Sequence, residues 1–269
     1  MTGKPGRGAT KARPARATKP PGPPPAQPSV ARLRLQLAKL GNARYLSHLD
    51  VVRALLRSLR RAGLPLALSG GYNPSPKVAY GAALAIGVES EAEYVDVELA
   101  APVDTVAAAR RISDELPPGF HLRQVAAVPL GRPALASYAA VTRYTAAPRR
   151  DEAAEPSADR ADGAAGPDEL TRLEHAAAGL LGSETLPVQR RAGRRPIDLR
   201  PYLLSLDVRP APPGSAAPGL EFELGSNARG AARADEVLAL LGVDPVLWGI
   251  RKTDFWPLVD GSKTSPWQA

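Results

Sequence analysis

The chain has 269 residues, with 29 prolines, 24 glycines and no cysteine. That length suits one large domain or two small ones, and the composition excludes a disulfide scaffold, a thiolate-held metal cluster and a cysteine nucleophile. The formal charge of +8 is concentrated at one end, since residues 1–29 carry +6 and 30–63 carry +7, whereas 64–147 and 148–269 carry −2 and −3.

This asymmetry is expected of a protein whose amino-terminal part meets a polyanion. No uncharged apolar run approaches the roughly 18 residues of a membrane helix, and no apolar stretch follows the basic start, so a soluble, cytoplasmic protein with no membrane partner is expected.

Residues 1–29 are rich in Lys, Arg, Gly, Ala and Pro and read as a disordered basic arm, either a solubilising tail or a nucleic-acid arm. From Val30 the residues Leu33, Leu35 and Leu37 alternate with Arg32, Arg34 and Gln36, which predicts a strand with one buried face. Ser47 with Asp50 three residues on predicts a helix start, and Gly63 predicts its stop. At 100° per residue Leu49, Val52, Leu55, Leu56 and Leu59 share one side, while Arg53, Arg57, Arg60 and Arg61 share the other.

Pro65–Ser69 reads as a short strand, and Gly70-Gly71-Tyr72-Asn73-Pro74-Ser75-Pro76 as a loop. Strands are predicted over Lys77–Ile86, Glu93–Leu99 and Phe120–Val128, with a helix from Asp104 to Leu116. The same order recurs after Pro133. Tyr138–Ala146 reads as a strand, 148–166 as a loop and Pro167–Leu181 as a helix; strands follow at Thr185–Gln189, Arg195–Val208 and Leu220–Leu224, then a helix at Ala232–Leu241 and a strand at Val246–Lys252. Two tandem ferredoxin-like, split βαβ domains with antiparallel sheets are therefore expected, over 30–130 and 131–256, with 257–269 as a tail.

The nearly pure cationic face of Arg53, Arg57, Arg60 and Arg61 is either a solvated helix face or a surface for an external anion, for which RNA phosphate is the natural candidate. In the loop, which includes Asn73, Gly70 and Gly71 would let backbone N–H groups approach a ligand, Tyr72 would offer a stacking face and Lys77 a point charge; a simple connector explains the same residues. His48 falls on the apolar side and reads as a buried, hydrogen-bonded histidine, with general base as its catalytic alternative. Asp198 and Arg200 read as a structural pair. No spacing suggests a metal site or a cofactor.

The segments Tyr45-Leu46-Ser47-His48-Leu49-Asp50, Arg60-Arg61-Ala62-Gly63-Leu64-Pro65, Ser69 to Lys77 and Gly87 to Asp96 resemble the radical-SAM-associated domain found fused to, or encoded beside, B12-binding radical SAM proteins in bacteria. Ile197-Asp198-Leu199-Arg200-Pro201 and Ile250-Arg251-Lys252-Thr253 extend the resemblance over about Arg32 to Trp256. It implies a radical SAM protein as partner and work on RNA or the translation apparatus. The family pattern has a histidine where Ser75 stands, so chemistry resting on that histidine is not expected here.

Together these features predict a non-catalytic RNA-binding or adaptor module. The alternatives are a metal-independent RNA-processing enzyme resembling the CRISPR repeat endoribonucleases, and a scaffold for an acidic protein partner.

Overall fold

A computed structural model describes residues 22–149, 167–190, 195–210 and 218–269. The first 21 residues of the expected arm and nearly all of the expected 148–166 loop lie outside them. The described chain is a mixed α+β structure with four α-helices and a sheet of ten strands whose pairings are antiparallel except one. No helix among the described residues is long and apolar enough to cross a membrane.

In the first half, β1 (Ala31–Lys39), α1 (His48–Arg61), β2 (Val78–Tyr80), β3 (Val88–Leu99), α2 (Thr105–Glu115) and β4 (Phe120–Val128) follow in order. Their strands pair β4-β1-β3-β2. The alternation in β1 is realised as expected, because Leu33, Leu35 and Leu37 are buried against Leu55 and Leu59 of α1 and Ala108 and Ile112 of α2. Each such leucine contributes about 1.5–3 kcal/mol through burial.

The second half repeats the arrangement with β5 (Ala140–Pro148), α3 (Pro167–Gly182), a small hairpin of β6 (Pro187–Val188) and β7 (Ile197–Asp198), β8 (Leu203–Arg209), β9 (Gly219–Asn227), β10 (Gly230–Ala231), α4 (Ala234–Leu240) and β11 (Trp248–Val259). Here the order is β11-β5-β9-β8. Phe222 and Leu224 of β9 pack on Leu173 of α3 and Val237 of α4. The halves are joined by the one parallel contact, Ile250↔Val88, Arg251↔Glu89 and Lys252↔Ser90.

Five expectations are corrected. The strand expected over Lys77–Ile86 stops at Tyr80, because β11 takes the edge of β3 farther on, and Pro65–Ser69 forms only isolated bridges at Leu66 and Leu68. The strand expected over Arg195–Val208 is divided into β7, a 3-10 turn at Arg200–Tyr202 and β8.

The expected tail is part of the fold. The strand β11 runs on to Val259 and turns into β12 (Ser262–Lys263), and Ala269 is 4% exposed. What holds it is Arg34, fully buried, whose guanidinium donates to both oxygens of Asp96 (2.7 and 3.0 Å) and to the carbonyls of Pro266 and Ala269.

The end of the expected arm is also tied down. The N–H of Gln27 donates to the Leu68 carbonyl at 2.9 Å, and Ser29 donates to Glu98 at 2.5 Å.

Candidate nucleic-acid interface

Helix α1 begins as its residues dictate, with Ser47 Oγ accepting the N–H of Asp50 and with Asp50 in the favourable first turn. It ends before Gly63, whose φ of +63° is a conformation that suits glycine. Ser58, buried, donates to the Glu115 carbonyl at the end of α2 and fixes which way α1 faces.

The arginine stripe divides. Arg61 is committed, since its guanidinium reaches a Glu115 carboxylate oxygen at 2.6 Å and the Glu115 carbonyl at 2.7 Å. Arg53, Arg57 and Arg60 remain exposed. Arg53 has only the neighbouring Asp50 at 3.6 Å, an exposed pair of the kind worth about 0.2–1 kcal/mol, and Arg57 and Arg60 have no carboxylate within ion-pair distance among the described residues. Three guanidinium groups are thus held along one helix face with a single acid beside them.

His48 is not a core residue. It is exposed, makes no side-chain hydrogen bond among the described residues and points its ring edge-on at Tyr80, 6.3 Å between centroids. Leu49 beside it is 62% exposed, so the apolar wedge of α1 starts one turn later than the helical angles suggest. Burial pushes the Tyr80 hydroxyl up to about 12, with the charge of Arg60 opposing.

The glycine loop serves the arm. Gly71, at φ +102°, donates its N–H to the Pro24 carbonyl, and a Cβ on Gly70 would sit 2.8 Å from the backbone nitrogen of Ala26. Lys77 donates to the Gln27 carbonyl at 2.8 Å and to Ser29 Oγ at 3.2 Å, so its charge is spent on the chain's own entry segment. Tyr72 and Asn73 stay exposed, Tyr72 at 75%.

Asp198 and Arg200 are structural but do not pair side chain to side chain. Asp198 Oδ1 accepts the N–H groups of Leu186 and Arg200, which hold its carboxyl below the usual range, and Arg200 donates to the carbonyls of Leu181, Ser183 and Leu203.

Among the described residues, the aromatic rings on the helix-free face of the sheet are covered by other side chains. Tyr94 lies under Trp267 and Phe255, and Trp256 is flanked by the Arg143 and Lys263 cations at 4.9 and 4.7 Å. Arg143 is in turn offset by Glu221, Glu223 and Asp254. Among the described residues, the exposed guanidinium groups of Arg53, Arg57 and Arg60 lie instead on α1, which packs on the opposite face.

Sequence reasoning missed a second cationic group at the seam. Arg44 and Arg149 both donate to the exposed Tyr45 hydroxyl, at 3.0 and 3.3 Å, and the Arg44 hydrogen bond lowers the tyrosine's pKa. Glu89 receives Arg44 and Arg251 at 3.4 and 2.7 Å. The residues come from positions more than a hundred apart, so only the adjacent Arg44-Tyr45 was visible locally. Among the described residues no group of three His, Asp or Glu side chains is placed to hold a metal.

A family model described as an uncharacterized protein conserved in bacteria, DUF2344, matches residues 32–233. No curated protein matches the chain.

Proposed function

The chain belongs to the DUF2344 family, and we propose that it acts as a non-catalytic RNA-binding module or adaptor. The observation that carries the reading is the row of Arg53, Arg57 and Arg60, exposed on α1 with only Asp50 beside it. Cations in such a row repel one another at three- and four-residue spacing and are offset by the phosphates of a strand laid along the helix. Single-stranded RNA is the anion in this proposal, because the exposed Tyr72 ring and the face of Tyr45 that Arg44 leaves open supply stacking faces in the same half.

The two halves are, in the same proposal, tandem ferredoxin-like units, a reading supported by their equivalent strand orders, β4-β1-β3-β2 and β11-β5-β9-β8. The resemblance to radical-SAM-associated domains makes a radical SAM protein the proposed partner, in RNA modification or a translation-related process in the cytoplasm.

One observation favours a second reading, metal-independent RNA cleavage. His48 is exposed at the start of α1, five residues before Arg53, as a general base acting on a ribose hydroxyl must be.

Purification without nuclease tests the proposal. The wild-type protein should carry nucleic-acid absorbance that high salt removes, and Arg53→Gln/Arg57→Gln/Arg60→Gln should carry far less. A wild type free of nucleic acid and unable to bind added RNA at low salt would contradict it. RNA shortened on incubation without metal, and left whole by His48→Ala, would favour the second reading.

A further inference from the structure

Between the halves lies a cavity of about 660 Å3, within the range of about 300–1,000 Å3 typical of small-molecule sites. Its origin is the seam. The strand β2 meets β3 only over Val95–Val97 and β11 meets it only over Val88–Ser90, so the β3 edge between them faces neither strand. Residues 81–86 border the cavity, and among the described residues the N–H groups of Ala82–Ile86 find no acceptor.

The lining has a defined chemistry. Tyr94, Tyr138, Tyr144 and Phe255 supply aromatic wall, and Lys252 is held by Glu93 at 2.9 Å. The polar groups without a partner on this lining include those of Tyr144 and Asp235. The Tyr144 hydroxyl makes no hydrogen bond among the described residues, although its ring is fixed by stacking on Phe222 at 5.5 Å. Asp235, also on the lining, has a buried Oδ1 without a donor. Burial, with the fields of Glu93 and Asp235, raises the Tyr144 pKa far above its ordinary value, so that its hydroxyl keeps its proton and can donate.

A planar, apolar-faced ligand that accepts one hydrogen bond and offers another along its edge matches this set, and a nucleobase is that ligand. We propose that the cavity takes an unstacked nucleobase, with Tyr144 and Asp235 contacting its polar edge. The inference rests on the RNA reading for the source of the base. The two surfaces adjoin, because Tyr80, whose ring meets that of His48 at the start of α1, leads directly into Gly81 on the cavity wall.

The test compares a short abasic ribose-phosphate strand with the same strand bearing one central base, each of the four in turn, by fluorescence anisotropy on the full chain. One base at least should tighten binding roughly tenfold. Asp235→Asn and Tyr144→Phe should each erase that gain and leave the affinity for the abasic strand unchanged. The tyrosine variant removes a single oxygen, which keeps the test valid if the other variant unfolds.

Equal binding of all the strands to the wild type would overturn the cavity proposal and leave the RNA reading standing. Binding of no strand would defeat the RNA reading, and equilibrium dialysis with the four nucleoside monophosphates then decides. Saturable uptake that Asp235→Asn abolishes would assign the cavity to a free nucleotide, and no uptake would overturn it.

Discussion

Arg34→Met provides a sharp test of how the carboxy-terminal segment is held. Arg34 is fully buried, and Asp96, 3% exposed, accepts from its guanidinium through both oxygens. Removing the cation leaves Asp96 with the N–H of Leu135 at 3.0 Å as its remaining donor, and strips the carbonyls of Pro266 and Ala269 of theirs. Breaking a buried pair in this way costs about 3–5 kcal/mol, whereas replacing both partners by apolar residues is often close to neutral. Arg34→Met should therefore lose about 3–5 kcal/mol, and Arg34→Met/Asp96→Leu should recover much of it. Urea unfolding gives both numbers, and Trp267 fluorescence reports whether the segment has left Tyr94. A loss below about 1 kcal/mol in Arg34→Met would refute the assignment of Arg34 as the anchor.

Three further outcomes are expected. His48→Ala should change stability by less than about 0.5 kcal/mol, because the side chain is exposed; a thermal melt showing a loss beyond about 1.5 kcal/mol would return the residue to the core. Deleting residues 1–29 should lower the melting midpoint, since Gln27 and Ser29 hold Leu68, Lys77 and Glu98; an unchanged midpoint would show that these bonds form at no net gain. Glu98 is held below its ordinary 4.5 by the Ser29 hydroxyl, with burial opposing and Arg32 assisting. Its contribution is then complete above pH 4.5 and is lost as the pH falls through the lower folded value. Ser29→Ala should flatten that acid-side loss in pH-dependent melts, and an identical profile would exclude the contact.

Much of the fold was legible because its signals are local. The leucines of β1, the Ser47 cap and Gly63 stop of α1, and the termini of β4 coincide with what alternation, capping and turn chemistry predict. The rest depends on partners distant in sequence. Gly81–Ile86 has strand-like residues, yet continuing the β2 register would carry Ala85 and Ile86 onto Ser90 and Glu89, the stretch of β3 that β11 occupies from more than 150 residues away. Residues 264–269 have no periodicity, and their anchor Arg34 reads as a surface cation until Asp96 is placed opposite it. Helical angles put His48 with the leucines of α1, but it stands exposed in the first turn beside Leu49, which is also exposed. The candidate site was legible in part. The sequence separates Arg53, Arg57 and Arg60 from the apolar face, but not Arg61 from them, since Glu115 comes from α2. Lys77 and the two glycines suggested a ligand, and the ligand they hold is residues 24–29 of the same chain.

The most direct test of the central claim is the salt dependence of single-stranded RNA binding, measured by anisotropy for the wild type and for Arg53→Gln/Arg57→Gln/Arg60→Gln. Each phosphate contact on a single strand contributes about 0.7 to the slope of log K against log salt. Loss of three contacts should lower that slope by about 2 and weaken binding most at low salt, with the melting midpoint unchanged. Equal slopes and equal affinities at low salt would contradict the account.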